Sequence, residues 1–408
     1  MTHLTQPARL AAQTLAAMST AEKNAALAAI SAALDTARNE IFAANAEDIR
    51  LGRVAGLRES LLDRLLLNDA RLDAMCEGIA QVIALSDPIG EILDEFTPSS
   101  GIHVQKIRTP MGVIGMIYEA RPNVTVDAAV LCLKAGSAVI LRGGKEAIHS
   151  NTALVRTMRS ALPACPAAIS LVTDTSRQSA HAMMHAKGDL DLLIPRGGAS
   201  LIQTVVREST VPVIETGAGI CHTFVDCSAD LAMAAAIATN AKCSRPSVCN
   251  AMETLLVHQD IAAEFLPVAF TAMAPYKVEF RGCPTTCALL PQAVPATPED
   301  YLTEHGDFVL NVKIFPDLDS AIAWINTHGT KHSECIVTAD HQNAARFRTQ
   351  VDAAAVYHNV STRFTDGFEF GLGAEIGIST QKTHPRGPMG LREICTYQYH
   401  ITGDGQIR

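Results

Sequence analysis

From about residue 100 onward, short apolar runs alternate with helical stretches, and this alternation constrains the fold more than any other feature. The runs GVIGMIYEA, SAVILRGG, ISLVT and LDLLIPRGG each lead into a turn and then a helical stretch. Repetition of strand, turn and helix is typical of a parallel sheet with crossover helices. The sequence therefore predicts an α/β fold.

Two further regions flank this pattern. Residues 1 to about 85 are rich in Ala and Leu at helical spacing, and Ser19 or Thr20 is a candidate N-cap for one of these helices. A second α/β unit is predicted from about 225 to 365, where the helix SADLAMAAAIATNAKCS stops before Pro246 and METLLVH follows as a strand. With 408 residues the chain is too long for one simple core, so we expect two or three subdomains.

Charge and cysteine content exclude several classes of protein. The net charge is −9 and no block of Lys and Arg occurs, which argues against a nucleic-acid-binding protein. We predict neither a signal peptide nor a membrane span, since the required apolar runs are absent. Eleven cysteines spread over the chain indicate reduced thiols in a cytoplasmic protein. Cys283, Cys287 and the pair Cys221-His222 suggest metal ligands, but without paired C-x2-C spacing we predict no metal site.

Two predicted strands end in a pair of glycines, Gly143-Gly144 in ILRGG and Gly197-Gly198 in LIPRGG. Glycine lets the backbone approach a phosphate closely, and the start of the next helix offers free N–H groups. The alternative is a tight strand-to-helix turn without a ligand. No G-x-G-x-x-G pattern supports the usual dinucleotide fingerprint.

The segment CSRPSVCNAMETLLVH raises the question of whether Cys243 or Cys249 is a nucleophile. Cys249 follows Pro246 and precedes a predicted strand, so it lies in a loop that can expose it while holding it rigidly. Cys243 lies in the last turn of the predicted helix, whose negative end disfavours a thiolate. These local arguments favour Cys249, but they leave open that both are core thiols.

Long motifs throughout the chain resemble one known family. RPSVCNAMETLLVH, YEARPNVTVDAAVLCLKAGSAVILRGGKEA, IPRGGASLI, VIETGAGICH and STRFTDGFEFGLGAEIGIST are similar to segments of the gamma-glutamyl phosphate reductases, a branch of the aldehyde dehydrogenase superfamily. The resemblance runs to the terminal GDGQIR. It implies an aldehyde-dehydrogenase-like fold and the NADPH-dependent reduction of L-glutamyl 5-phosphate to L-glutamate 5-semialdehyde and phosphate, a step of proline biosynthesis.

The resemblance also implies catalytic residues. Cys249 matches the nucleophile, whose thioester accepts hydride more readily than a carboxylate. Asn123 matches the oxyanion asparagine, although without the resemblance it would be interpreted as a turn residue after Pro122. Glu215 matches the general base of aldehyde-oxidising relatives, and here it could instead order its loop or assist proton transfer.

Cofactor and substrate residues follow in the same way. Lys145, where NAD-using relatives often have Glu, would attract the 2′-phosphate of NADPH, although a solvated surface Lys is the alternative. Arginines are candidates for binding the substrate anions or favouring the Cys249 thiolate, with a structural role as the alternative. The candidate cofactor residues are Arg142, Gly143, Gly144, Lys145, Gly197, Gly198 and Glu304, and the candidate arginines are Arg121, Arg245 and Arg363.

The predicted organisation has three parts. A Rossmann-type NADP-binding domain covers 1–225 and includes 366–393 as a second segment. A catalytic domain covers 226–365. Segments 98–117 and 394–408 are predicted to form a small β arm that covers a neighbouring subunit, giving a dimer or tetramer. Hand-over of the acyl phosphate from a glutamate 5-kinase is a further predicted partner interaction. The alternatives are another enzyme of the superfamily, oxidising an aldehyde or reducing an acyl-CoA, and a non-catalytic relative.

Overall fold

Two parallel sheets, each with its own helices, are present in a computed structural model of the chain, and they confirm the predicted α/β fold. The structure describes the backbone of residues 1–408 and every side chain except that of Ser60. The chain divides into two compact units. Unit 1 comprises Met1–Thr216, Gly371–Gly377 and Met389–Arg408, and unit 2 comprises Gly217–Phe370 and Ile378–Pro388.

Unit 1 begins with five helices and continues with alternating strands and helices. Its elements are α1 Thr2–Ala17, α2 Thr20–Thr36, α3 Arg38–Val54, α4 Glu59–Leu65, α5 Asp69–Ala84, β1 Ile92–Phe96, β2 His103–Pro110, β3 Val113–Tyr118, α6 Pro122–Lys134, β4 Ala138–Arg142, α7 Ile148–Ser160, β5 Ile169–Leu171, α8 Arg177–Met184, β6 Leu192–Arg196, α9 Ala199–Glu208 and, from the end of the chain, β16 Cys395–Thr402. Ser19 is the N-cap of α2 and forms a capping box with Glu22, which confirms it as the predicted cap.

The main sheet of unit 1 has the order β5-β4-β3-β6, and all its strands are parallel. All six residues of β3 are buried, as expected for a central strand covered on both faces. Because parallel strands end at the same edge of a sheet, the glycine pairs after β4 and β6 lie at one edge, on either side of the end of β3. This edge is where a doubly wound sheet binds a ligand.

A separate antiparallel sheet in unit 1 has the order β1-β2-β16. The predicted arm segments contribute β2 and β16, which pair from Cys395 with Pro110 to Thr402 with His103. The structure adds β1 to them, and it places 113–117 in β3 of the parallel sheet, because that stretch is apolar on both faces and pairs with β4 and β6.

Unit 2 contains seven parallel strands in the order β10-β9-β11-β8-β7-β12-β13. Its elements are β7 Cys221–Val225, α10 Leu231–Cys243, β8 Met252–His258, α11 Gln259–Met273, β9 Glu279–Gly282, α12 Pro284–Leu289, β10 Val294–Pro295, β11 Val309–Phe315, α13 Leu318–His328, β12 Ser333–Val337, α14 His341–Gln350, β13 Ala355–His358, and the short antiparallel pair β14 Ile378–Ser379 and β15 Gly387–Pro388.

Both faces of this second sheet are packed. Neighbouring residues of one strand point to opposite faces, so Leu256 joins the cluster formed with α13 and α14. Leu255 and Val257 join the larger cluster formed with α10 and α11. The central strand β8 is buried along all seven residues. The segment before β8, which carries Cys249, is therefore joined directly to a fully buried central strand.

The boundary between the units falls between Thr216 and Gly217. The sequence placed a domain boundary later, after residue 225. The difference arises because β7 pairs with β8 and β12 and thus belongs to the second sheet. The assignment of one domain to the cofactor and the other to catalysis stays a prediction.

None of the helices in the described part of the chain combines the length and the apolar character that crossing a membrane requires.

Candidate active site

Cys249 lies in a turn of unit 2, between the end of α10 and the start of β8. Pro246, three residues before it, keeps α10 from continuing. The Cys249 side chain is half-buried, whereas Cys243 is buried at the end of α10. Burial raises the pKa of the Cys243 thiol to about 11, so this thiol stays protonated and inert near neutral pH. The structure thus places Cys243 in the last turn of α10 and Cys249 in a turn, as predicted, while the identity of the nucleophile stays a prediction.

The backbone of Gly219 passes extremely close to that of Cys249. A Cβ atom built at Gly219 would lie 1.5 Å from the carbonyl oxygen of Cys249 and 2.5 Å from its Cα. The same carbonyl oxygen accepts a hydrogen bond from the thiol of Cys221, 3.2 Å away. Only glycine fits at this crossing, and the crossing fixes the main chain of Cys249. Sequence reasoning did not single out Gly219, although its segment ETGAG offered a signal.

A buried amide holds the other side of the Cys249 turn. Asn250 is only 3% exposed, and its side chain donates to the carbonyls of Arg363, at 3.2 Å, and Thr365, at 2.8 Å. Its backbone carbonyl accepts from Thr362 Oγ1 at 2.8 Å. The guanidinium of Arg363 donates to Asn250 Oδ1 and, at 3.1 Å, to Ser244 Oγ. Sequence reasoning missed Asn250, which lies next to Cys249 but shows no motif of its own.

Two of the predicted arginines, Arg245 and Arg363, act on each other electrostatically near Cys249. Burial, followed by the nearby positive charge of Arg245, lowers the pKa of Arg363, and Cys249 is among the groups close enough to act on it. Cationic neighbours of this kind stabilise a thiolate and attract anions. The structure therefore brings Arg245, Cys249 and the carboxylate of Asp366 within electrostatic range of Arg363.

Glu304 contacts the same Gly219 segment. Its carboxylate accepts a hydrogen bond from the backbone N–H of Gly219, while desolvation by the surrounding protein raises its pKa. Nearby, Lys242 Nζ and Glu253 Oε2 form a fully buried ion pair at 2.9 Å, and the N–H of Gly306 donates to Glu253 at 3.1 Å. Burial raises the pKa of Glu253 to about 7. No sequence signal pointed to this pair.

The remaining predicted catalytic residues belong to unit 1. Asn123 is exposed in the first turn of α6, and it donates to Asp127 Oδ2 at 3.2 Å. It is therefore helical, and the alternative interpretation as a turn residue after Pro122 is wrong, because Pro122 occupies the first position of α6. Burial raises the pKa of Asp127 to about 6. Glu215 is half-buried near the end of the unit, and burial raises its pKa as well.

The two glycine pairs follow the ends of β4 and β6 as predicted. A Cβ atom at Gly143 would lie 2.2 Å from Asn151 Nδ2 and 3.2 Å from the Tyr118 ring, so this position has no room for a side chain. Arg142 donates through Nη2 to the carbonyl of Thr175 at 2.6 Å. Lys145 is exposed immediately after Gly144, at the start of a short 3₁₀ turn.

The second glycine pair lies against a carboxylate that the sequence did not predict. Glu119, which follows β3, accepts a hydrogen bond from the N–H of Gly198 at 3.0 Å. A Cβ atom at Gly197 would lie 2.6 Å from Glu119 Cδ. Gly198 is the N-cap of α9, and a negative charge is favourable at such an end.

The cysteines whose spacing suggests metal ligands have other contacts. Cys221 donates to the Cys249 carbonyl, and Cys287 donates to the Gly282 carbonyl at 3.4 Å. Cys283 lies 3.3 Å from Thr286 Oγ1. These thiols belong to the packing of unit 2.

The chain is similar to a well-defined group of enzymes. The model of the aldehyde dehydrogenase family matches residues 1–286. The gamma-glutamyl phosphate reductase of Carboxydothermus hydrogenoformans is 54% identical over 409 residues, covering 100% of this chain and 99% of that protein. That of Moorella thermoacetica is 53% identical over 406 residues, covering 99% and 97%.

A solved structure agrees with these comparisons. The crystal structure of gamma-glutamyl phosphate reductase from Thermotoga maritima matches with a TM-score of 0.98 and 46% identity, covering 100% of this chain and 99% of the other. Family model, full-length relatives and fold point the same way, and they agree with the motifs around Cys249. The chain belongs to the aldehyde dehydrogenase family and, within it, to the gamma-glutamyl phosphate reductases.

Proposed function

We propose that this chain reduces L-glutamyl 5-phosphate to L-glutamate 5-semialdehyde and phosphate with NADPH, through a thioester on Cys249. The observation that carries the proposal is the full-length identity of 54% to a gamma-glutamyl phosphate reductase. Cys249, half-buried beside two arginines, supplies a suitable nucleophile. The chemistry converts an activated acyl group into an aldehyde, which a thiol can mediate and a simple hydrolytic site cannot.

The first step uses the region around Cys249. The thiolate attacks the acyl carbon, a carbon–sulfur bond forms, and the bond from that carbon to the phosphate oxygen breaks. Arg245 and Arg363 favour the thiolate and attract the anionic substrate by their charge. The hydrogen bonds of Arg363 to Asn250 and Ser244 orient its guanidinium next to the nucleophile. Arg121 is the candidate for a second anionic group of the substrate.

Negative charge builds on the acyl oxygen both before and after reduction. We assign Asn123 and the backbone N–H of Cys249 as donors to this oxygen. The fixed backbone of Cys249 supports this role for its N–H, because a preorganised donor needs no rearrangement during the reaction. After reduction of the thioester, the oxyanion collapses to the aldehyde and the Cys249 thiolate leaves.

Glu215 requires a different role from the one it has in aldehyde-oxidising relatives. A general base that activates water would hydrolyse the thioester and waste it in the biosynthetic direction. The raised pKa of Glu215 suits a group that carries a proton to or from the substrate, or one that orders its loop.

The glycine pairs and Lys145 fit a nicotinamide dinucleotide. Gly143 and Gly197 are crowded positions that exclude a side chain, and both follow strands at the ligand-binding edge of the sheet. Bound NADPH would supply the hydride that reduces the thioester. Arg142 and Lys145 are the candidate contacts for its adenosine ribose and 2′-phosphate, and Glu304 is the candidate contact for its nicotinamide ribose.

Replacement of Lys145 with glutamate is expected to raise the KM for NADPH at least tenfold while changing that for NADH little. Loss of one ion pair to phosphate removes about 1.5–3 kcal/mol, and a carboxylate adds repulsion. Steady-state kinetics with both cofactors measure the effect. Lys187→Glu, the same charge change in an exposed loop of unit 1, is the control and leaves both constants unchanged. An equal rise for NADPH and NADH would show that Lys145 does not contact the 2′-phosphate.

The proposed reaction is tested in reverse with glutamate 5-semialdehyde. Reduction of NADP by the purified chain is expected to depend on added phosphate, because phosphate must release the acyl group from Cys249. An aldehyde-oxidising relative would use water and proceed without phosphate, and an acyl-CoA reductase would require CoA. An equal rate of NADP reduction with and without added phosphate would contradict the proposed function.

We further propose that the sheet β1-β2-β16 is an oligomerisation arm. Tyr397, Tyr399 and Ile401 of β16 are 49%, 52% and 62% exposed, and Phe96 of β1 is 47% exposed. An apolar sheet left uncovered is an aggregation hazard, so a second subunit is its expected partner.

Truncation after Glu393 removes β16 and is expected to give monomers or insoluble protein. Light scattering measures the mass. Truncation after Thr402 is the control, because it keeps all of β16 and removes only the exposed tail. If the shorter chain keeps the oligomer mass of the full chain, the arm is not the interface.

A further inference from the structure

A buried ion pair of unit 2 flanks the candidate nucleophile in the sequence. Lys242 lies in the last turn of α10, where the helix end favours a cation, and Glu253 is the second residue of β8. Both side chains are completely buried, and Lys242 Nζ lies 2.9 Å from Glu253 Oε2. Removing two charges from water has a cost that their mutual attraction scarcely offsets. Packing alone therefore does not explain why the pair is present.

The second oxygen of Glu253 has a different partner. Glu253 Oε1 accepts a hydrogen bond from the backbone N–H of Gly306 at 3.1 Å. Gly306 has a φ of 61° and belongs to the irregular loop 303–308, between the 3₁₀ turn Asp300–Leu302 and β11. Residues 302–304 are exposed, so burial does not hold them in place. The hydrogen bond from Gly306 therefore anchors the loop to the buried strand β8.

Glu304 provides a second anchor for the same loop. Desolvation raises the pKa of its carboxyl group, and both the N–H of Gly219 and the positive charge of Lys242 oppose this rise. The N–H of Gly219 donates to Glu304, and the backbone of Gly219 crosses that of Cys249. The loop 303–308 is thus attached at two points, through Glu304 to the Gly219 segment and through Gly306 to β8.

We propose that Glu253 is a positioning residue for the cofactor, with Lys242 as its counter-charge. Glu253 holds Gly306, Gly306 fixes the loop 303–308, and the loop presents Glu304 to the nicotinamide ribose. The inference rests on the proposed function, which assigns this ribose contact to Glu304. Lys242 and Glu253 do not contact the cofactor themselves, since both side chains are completely buried.

A carboxylate suits this role better than a neutral acceptor. Hydrogen bonds to an ionised acceptor are about twice as strong as those between neutral groups. The two oxygens of Glu253 also serve Lys242 and Gly306 separately. Burial raises the pKa of Glu253 to about 7, and the charge of Lys242 opposes this rise. The cost of burying the pair is therefore offset by a loop position that a neutral acceptor would hold less firmly.

Two double variants of the full-length chain separate the hydrogen bond from the packing. Lys242→Met/Glu253→Gln removes both charges and keeps an oxygen that accepts from Gly306, whereas Lys242→Met/Glu253→Met fills a similar volume without an acceptor. In NADP reduction with glutamate 5-semialdehyde and phosphate, the Met/Met variant is expected to raise the KM for NADP about tenfold or more and to leave the KM for the aldehyde unchanged. The Met/Gln variant is expected to stay within about threefold of the parent chain.

Lys23→Met/Asp87→Met is the matched control. Lys23 and Asp87 form a buried ion pair of unit 1 with the same length, 2.9 Å. Its removal is expected to lower the Tm about as much as the Met/Met change at 242 and 253, and to leave the KM for NADP unchanged. A purely structural role of the Lys242–Glu253 pair would make the two Met/Met variants alike in both measurements.

Hydrogen exchange measures the anchor without turnover. Amides of the loop 303–308 are expected to exchange about tenfold faster in the Met/Met variant than in the parent chain and the Met/Gln variant, because Gly306 loses its acceptor. If circular dichroism shows that the Met/Met variant is unfolded, Lys242→Met/Glu253→Val takes its place, since a β-branched residue suits a strand.

Equal loop exchange in the parent chain and a folded Met/Met variant would overturn the anchor. Faster exchange with an unchanged KM for NADP would overturn the role in positioning the cofactor. A parent chain without phosphate-dependent turnover would reject the proposed function instead, and loop exchange would still decide whether Glu253 holds Gly306.

Discussion

Replacement of Cys249 with serine is expected to lower kcat by about three orders of magnitude or more, since no thioester can form. A serine hydroxyl has the same shape but is far less nucleophilic near neutral pH. Binding of NADPH is expected to persist, because the candidate cofactor contacts lie elsewhere in the chain. Steady-state turnover and quenching of protein fluorescence by NADPH measure the two effects separately.

Cys243→Ser is the matched control for this change. Cys243 is buried at the end of α10, and its pKa of about 11 keeps it protonated. Serine there leaves a small polar group in an apolar cluster, which reduces stability modestly and preserves most of the activity. If Cys243→Ser abolishes turnover and Cys249→Ser retains it, the assignment of the nucleophile is wrong.

Replacement of Gly219 with alanine is expected to reduce kcat at least a hundredfold through the main chain of Cys249. The added methyl group would lie 1.5 Å from the Cys249 carbonyl oxygen, far inside any contact distance. Both clashing groups are backbone or attached directly to it, so no side chain can rotate away. One of the two segments must move, and a displacement of about 1 Å at a reacting group costs roughly two orders of magnitude in rate.

Gly78→Ala is the control for this substitution. Gly78 lies within α5, and a Cβ atom there meets nothing within 4 Å. Alanine at this position is expected to stabilise the helix by about 0.5–1 kcal/mol and to leave kcat unchanged. Circular dichroism and thermal unfolding show whether Gly219→Ala remains folded. A folded Gly219→Ala variant with normal kcat would contradict the role of this crossing.

The family, and with it the proposed chemistry, could be predicted from residues close together in the sequence. The motif RPSVCNAMETLLVH contains the end of one element, the exposed turn and the start of β8 within a few residues. The glycine pairs likewise follow β4 and β6 directly. Local signals of this kind depend on propensity and periodicity, which act over one or two turns of chain.

Contacts between side chains of neighbouring strands show where such reasoning stops. Asp226 and Cys227 come near His258 only because β7 and β8 are neighbours in the sheet. The order of strands in a sheet cannot be derived from the spacing of residues in the sequence. The sequence therefore gives no signal that Asp226, Cys227 and His258 are neighbours.

By itself, the sequence determined the alternation of strands and helices, a helix cap at Ser19 or Thr20, the turn at Cys249 and the family. The tertiary structure alone decided that Gly219 crosses Cys249, and that Asn250 is held by Arg363, 113 residues away. It also decided that Lys242 and Glu253 pair in the core. The physical reason is that hydrophobic periodicity fixes which residues are buried, whereas the order and register of strands fix which buried residues meet.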